Sequence, residues 1–144
     1  MIRFVSSALL ALAAPLTAAP PASDVTVQLT GLRNAKGLVR LCLTNDRGRF
    51  LQCEKVPGAV GRSVPAGQAG RVHLGAVPPG TYALLVIHDE NRDGKLNMTL
   101  GIPREGFGFS NNPAMRPRAP RWDEIRFTVP PGPVTQTIRV RYVL

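Results

Sequence analysis

Apolar and polar side chains alternate with a period of two through most of the chain beyond residue 23, and this pattern limits the fold more than any other feature. Val25, Val27 and Leu29 alternate with Thr26, Gln28 and Thr30 before Gly31. Successive side chains of a strand point to opposite faces, so such a run lays one apolar face on a core. Leu38 to Thr44 repeats the pattern after the turn RNAKG, with Val39, Leu41 and Leu43 inward. The Gly/Pro-rich stretch VPGAVGRSVPAGQAG has room for one irregular edge strand near Val60 to Val64. Arg71 to Val77 turns Val72, Leu74 and Ala76 inward and His73 outward. The turn VPPGTY feeds Tyr82 to His88, which is apolar on both faces and therefore a central strand. Residues 98 to 121 show no clear period and read as a long ordered loop. Alternation resumes at Ile125, Phe127 and Val129, and a last strand turns Ile138, Val140 and Tyr142 inward, opposite Thr137, Arg139 and Arg141. No stretch beyond the N-terminus has a helical period. One domain over 23–144 is expected: all-β, an antiparallel β-sandwich of about seven strands, transthyretin/prealbumin-like or Ig-like, with one long ordered loop.

The N-terminus is built differently. Arg3 gives a short basic start, Phe4 to Ala14 an apolar run, and Thr17-Ala18-Ala19 a small-residue cleavage motif. The run is too short and wrongly flanked for a transmembrane helix, so residues 1–22 are expected to be a secretory signal peptide. Pro20 disfavours a cut directly after Ala19, which leaves Ala22 as the alternative. No cysteine follows the apolar run to take a bacterial lipid anchor. The expectation is a periplasmic or secreted protein that does not span the membrane. Export also predicts that Cys42 and Cys53, an even pair in an oxidising compartment, form a disulfide. Alternation places Cys42 on the outer face beside Arg40, within reach of the returning loop RGRFLQC.

Losing Arg3 with the leader lowers the formal charge from +9 to +8. The excess is mostly arginine scattered along the chain. It favours anionic envelope polymers, acidic lipid, carbohydrate or a protein partner, although a basic surface that is merely solvated accounts for it better than any one of these. Nucleic acid is an unlikely partner: the chain is exported, has few aromatics and offers no helix to enter a groove.

HDENRDGKLN, residues 88 to 97, interrupts the alternation abruptly. Asp89, Asn91 and Asp93 stand at alternate positions and Gly94 follows, the opening of an EF-hand-type calcium loop. A hard cation needs six to eight oxygens, and short oxygen-bearing arms at alternate residues converge when the backbone wraps around one point. Lys95 would contribute its carbonyl, and Asn97 its side chain directly or through water. Leu100 occupies the position where an EF-hand carries its bidentate glutamate, and flanking helices are missing, so the last ligand must come from elsewhere. Glu105 is the nearest downstream carboxylate, with Glu90 close enough to help by folding back. The loss of the twelfth-position ligand points to a weak site, roughly 10⁻⁴–10⁻³ M for Ca²⁺. The competing reading is a turn built by Asp/Asn side chains with no ion. Against it stands the mutual repulsion of several acidic groups in ten residues.

VPPGTYALLVIHDENRDGKLN followed by GIPREGFGFSNN resembles the signature of the bacterial exported-protein family catalogued as domain of unknown function 2141. The likeness extends over residues 24 to 144 and is most specific at 78 to 112. Asn97 stands where the family usually has aspartate, which removes one charge from the candidate site. The resemblance implies a small exported β-sandwich without an assigned activity. It also implies that the glycine-rich segment belongs with the acidic loop. Phe107 and Phe109 would then act either as a buried lid or as a solvent-facing pair for stacking on sugar rings, with Ser110, Asn111 and Asn112 as polar partners.

Three functions remain open. The first is a non-catalytic envelope protein with a calcium-stabilised loop, binding through the Phe107/Phe109 segment or a basic face of Arg126, Arg139 and Arg141. The second is a transthyretin-like or carboxypeptidase-regulatory-like module with a structural role. The third is a metal-dependent hydrolase using His88, the one plausible acid/base next to the acidic loop. Ser110 lacks the setting of a nucleophile elbow.

Overall fold

The protein, described from a computed structural model covering residues 12–19 and 21–144, is a pair of packed β-sheets. The leader expected over 1–22 lies in large part outside the described residues. Among the described residues no helix is long and apolar enough to cross a membrane.

The first sheet holds β1 (Ser23–Thr30) between β4 (Arg71–Val77) and β10 (Gly132–Arg139). The second has the order β3 (Val60–Pro65), β2 (Leu38–Thr44), β5 (Gly80–Asp89), β8 (Gly106–Phe109), and β9 (Phe127–Val129) pairs with the start of β5. A small hairpin, β6 (Met98–Thr99) and β7 (Ile102–Pro103), stands apart. One core lies between the two sheets. Val25, Val27, Leu74 and Ile138 come from the first, and Val39, Leu41, Leu43, Leu84 and Val86 from the second, all buried in one cluster.

The all-β class and the strands read from alternation are observed, with four differences. First, β1 and β10 pair in parallel, from Ser23 beside Gly132 to Thr30 beside Arg139, so the sandwich is not purely antiparallel. A parallel pair needs a long crossover, and here nearly the whole domain lies between its two strands. Second, Ala76 is exposed and Val77 takes the inward place. The register of β4 against β1 shifts there, Val25 facing Gly75 but Thr26 facing His73, and a bulge of this kind inverts the phase of every later side chain. Third, Ile125 belongs to a one-turn helix, α1 (Trp122–Ile125), rather than to the strand after it. Fourth, the segment expected to be loop contains β6, β7 and β8.

Strand β8 joins the two sheets. Its bare positions, Gly106 and Gly108, face inward: a Cβ at Gly108 would lie 2.7 Å from Ile138, and one at Gly106 would strike Tyr142 and Val140. This closeness lets the C-terminal segment change sheets. Val140 N donates to Thr30 O at 2.8 Å, whereas the next residue, Arg141, donates to Phe107 O at 2.9 Å and accepts from Phe107 N at 3.0 Å.

Cys42 and Cys53 form the disulfide, with an S–S distance of 2.01 Å. It ties β2 to a 3₁₀ turn (Phe50–Lys55) that lies on the outer face of the second sheet. Phe50 packs there with Ala83, Ile125, Phe109 and Trp122 in a small second core. In the chain-entropy account, closing so short a loop contributes roughly 2–3 kcal/mol.

Candidate metal centre

The acidic loop leaves the end of β5, where alternation gives His88 to the interior and Asp89 to the outer face. Both are buried completely. Asp89 holds the loop in shape. Its Oδ1 accepts from Asp93 N at 3.1 Å, its Oδ2 from Gly94 N at 2.9 Å, and the same oxygen receives Arg40 Nε at 2.6 Å. The chain thus curls back over the side chain that begins the loop, and Gly94 makes the turn with a φ of +78°. Asn91 Oδ1 accepts from Asp93 N at 3.2 Å, and Asp93 Oδ1 from Lys95 N at 2.9 Å. That Lys95 N–H holds the exposed Asp93 carboxyl below the usual aspartate range, aided by the Asn91 amide and opposed by partial desolvation.

Glu105 immediately precedes β8, and one oxygen from each of the Asp89, Asp93 and Glu105 carboxylates lies within 4.8 Å of the other two. It is 5% exposed. Among the described residues it forms no salt bridge, and the one hydrogen bond it accepts is from Asn97 N, 3.2 Å from Oε2. Of the three carboxylates Asp89 alone has a salt bridge among the described residues, to Arg40, and Asp93 and Glu105 have none. An open pocket of about 420 Å³ adjoins it, between Arg33, Glu90, Asn97, Arg104 and Glu105.

Glu90 does not fold back toward this cluster. Arg33 Nε donates to it at 2.8 Å and Asn34 Nδ2 at 3.0 Å. Burial raises the affinity of the Glu90 carboxyl for its proton, but the hydrogen bonds from Asn34 and Arg33 outweigh it and the net shift is downward. A depressed carboxyl stabilises the fold fully above the ordinary glutamate pKa, about 4.3, and loses that contribution as pH falls through its own lower value. Replacing Arg33 with Ala is expected to move the Glu90 titration upward toward the ordinary range and to weaken the fold near neutral pH more than at pH 3. Carboxyl-resolved NMR titration and melts at the two pH values check this.

His88 faces inward and uses both nitrogens. Nε2 lies 2.7 Å from the Lys36 carbonyl and Nδ1 lies 2.6 Å from Tyr142 Oη. A carbonyl only accepts, so Nε2 carries a proton, and in the neutral ring Nδ1 accepts from Tyr142. His88 thereby fastens the 33–37 turn and the C-terminal segment to the root of the acidic loop.

The remaining expected residues have other places. Ser110 is buried, receives Leu84 N at 3.0 Å and donates to Ile125 O. Asn111 donates to Arg126 O at 2.7 Å. Asn112 donates to Thr137 O at 2.9 Å and accepts from Arg139 N at 2.8 Å, acting as a substitute strand partner along the edge of β10. Ser110 and Asn111 thus tie the end of β8 to β5 and to the α1–β9 segment, and Asn112 alone ties it to the first sheet. Phe107 and Phe109 are half-buried on the outer face of the second sheet, ring centroids 5.9 Å apart. The register pairs them with Ile87 and Leu85. Arg126 pairs with Asp123 at 2.9 Å, Arg139 stands beside Thr30 in the first sheet, and Arg141 bridges to Phe107 in the second. Sequence reasoning missed Arg40 as a partner of the loop. Its outward position on β2, next to a central strand ending in an outward aspartate, is the signal that would have found it.

An all-β domain whose central strand ends in a carboxylate-lined loop is the class that fold and site define. Its sequence places it in a family: residues 27–137 match the family described as uncharacterized protein conserved in bacteria (DUF2141), and the chain belongs to it. No curated protein and no solved structure matches.

Proposed function

We propose that this is an exported, non-catalytic β-sandwich protein of the cell envelope whose acidic loop is closed by a calcium ion. Asp89, Asp93 and Glu105 would supply carboxylate oxygens, with the Asn91 side chain, the Lys95 carbonyl and Asn97 completing an all-oxygen set suited to Ca²⁺. The observation that carries the reading is Glu105. A carboxylate 5% exposed, beside two others and without a cationic partner among the described residues, is costly unless a cation joins it. A divalent ion would join the two carboxylates that Arg40 does not reach. The disulfide fits an oxidising compartment and supports export. With both nitrogens of the buried His88 engaged, the histidine serves the scaffold in this reading, and the loop presents a surface rather than a reaction centre.

The test is a calcium titration by calorimetry or NMR on the oxidised protein. One site is expected in the range of roughly 10⁻⁴–10⁻³ M, weakened at least ten-fold by Glu105→Gln, which keeps size and removes charge. Equal affinity in the two proteins, or no binding at 10 mM Ca²⁺, would reject the reading.

A further inference from the structure

The hairpin beside the acidic loop exposes apolar side chains in a way nothing else in the fold does. Met98 is 51% exposed, Leu100 97% and Ile102 40%, all within five residues, whereas the remaining exposed large apolar residues after Ser23 lie singly or at the C-terminus. Met98 faces Pro103 across the hairpin and Thr99 faces Ile102, so apolar groups lie on both faces and Leu100 forms the apex. The two-residue turn has φ of +51° at Leu100 and +77° at Gly101. Both central residues are thus left-handed, a turn that asparagine or glycine fills most easily. A leucine held there, with its side chain in water, fits neither the turn nor the solvent. Three cations flank the hairpin in the sequence. Arg92, Lys95 and Arg104 are exposed, and none forms a salt bridge among the described residues. Arg104 N donates to Asn97 O at 2.8 Å and so extends the hairpin ladder, which sets the Arg104 side chain on the face of Ile102.

We propose that the 98–103 hairpin is a membrane-docking finger for an anionic lipid surface. Leu100, Met98 and Ile102 would enter the boundary between headgroups and acyl chains, while Arg92, Lys95 and Arg104 reach lipid phosphates. An exposed turn with three apolar side chains, flanked by cations that form no salt bridge among the described residues, suits a lipid interface better than a protein groove, and the cations select anionic headgroups. The inference goes beyond the calcium reading and does not require it. An ion in the adjacent loop would remove negative charge facing the bilayer and strengthen binding, but the basic, apolar finger acts without it.

Co-sedimentation of the purified exported protein with large vesicles tests this, in 0.1 M salt, with Ca²⁺ and separately with EGTA. The expected result is binding to phosphatidylglycerol/phosphatidylethanolamine vesicles and none to phosphatidylcholine, in EGTA as well as in Ca²⁺. Leu100→Asn suits the turn better than leucine does, so its melting temperature should hold or rise while partitioning falls at least ten-fold. Joint replacement of Arg92, Lys95 and Arg104 by alanine should cost about a hundred-fold, at roughly five-fold per cation. Absence of binding to anionic vesicles in both conditions overturns the proposal, as does equal binding by Leu100→Asn. A concentration-dependent dimer that Leu100→Asn abolishes, without vesicle binding, also overturns it and assigns the tip to a second copy of the chain.

Discussion

Replacing Gly37 with alanine is expected to destabilise the protein by about 3 kcal/mol or more, although the substitution adds one methyl group in an exposed-looking turn. Gly37 has a φ of +67°, and a Cβ built on it would lie 2.7 Å from both Glu90 Cα and Glu90 O, and closer still to the Asp89 carbonyl. The left-handed backbone costs a non-glycine residue about 1–2 kcal/mol. Overpacking against main chain that cannot rotate away adds roughly 1–3 kcal/mol. Gly58 is the control: its φ is +80°, but nothing lies within 4 Å of its Cβ, so only the backbone cost applies. Urea unfolding of the two variants separates the causes. Equal losses at the two sites would mean that the 33–37 turn does not press on the root of the acidic loop.

Asp89→Ala is expected to cost about 3 kcal/mol in the complete absence of calcium. The wholly buried carboxylate accepts from two backbone N–H groups of its own loop and from Arg40. Breaking a buried ion pair from one side typically costs 3–5 kcal/mol. The lower end applies because the Arg40 side chain is 34% exposed and recovers water when its partner is gone. Arg40→Ala strands a wholly buried carboxylate that has no access to water, so it should cost at least as much as Asp89→Ala, and the double variant should recover part of the sum. Unfolding in EGTA measures all three. A loss below 1 kcal/mol for Asp89→Ala would show that the loop does not depend on this side chain for its shape. This structural load also makes Asp89 a poor probe of ion binding, since its removal distorts the loop whether or not a cation is held there.

The sequence revealed most where burial is one-sided. The alternation of Val25, Val27 and Leu29, or of Val39, Leu41 and Leu43, follows directly from a sheet with one wet face. Period two carries no information on strand direction, so the parallel pairing of β1 with β10 was invisible. In GFGF the inward residues are glycines and the outward ones phenylalanines, the reverse of the usual signal, because Ile138, Val140 and Tyr142 already fill the space inside β8. The 98–103 hairpin was hidden for another reason: its strands are two residues long, and its turn carries leucine where turn chemistry asks for asparagine or glycine. At the candidate site, spacing singled out Asp89, Asn91, Asp93 and Gly94, and the missing twelfth-position carboxylate directed attention to Glu105. The partners that shape the site, Arg40 for Asp89 and Lys36 and Tyr142 for His88, come from distant strands and turns that only the folded register brings together.

Thermal unfolding of the oxidised protein in 10 mM Ca²⁺ and in EGTA, for wild type and for Asp93→Ala, decides whether the acidic loop holds an ion. Asp93 is exposed and anchors less of the loop than Asp89, so its removal leaves the scaffold largely in place. A site of roughly 10⁻⁴–10⁻³ M would add about 1.4–2.7 kcal/mol at that concentration, a rise of roughly 5 °C or more in Tm. That rise is expected in wild type and is lost in Asp93→Ala. Identical melting in Ca²⁺ and EGTA, in a protein that is folded and oxidised, would contradict it and leave HDENRDGKLN as a turn held by its own hydrogen bonds.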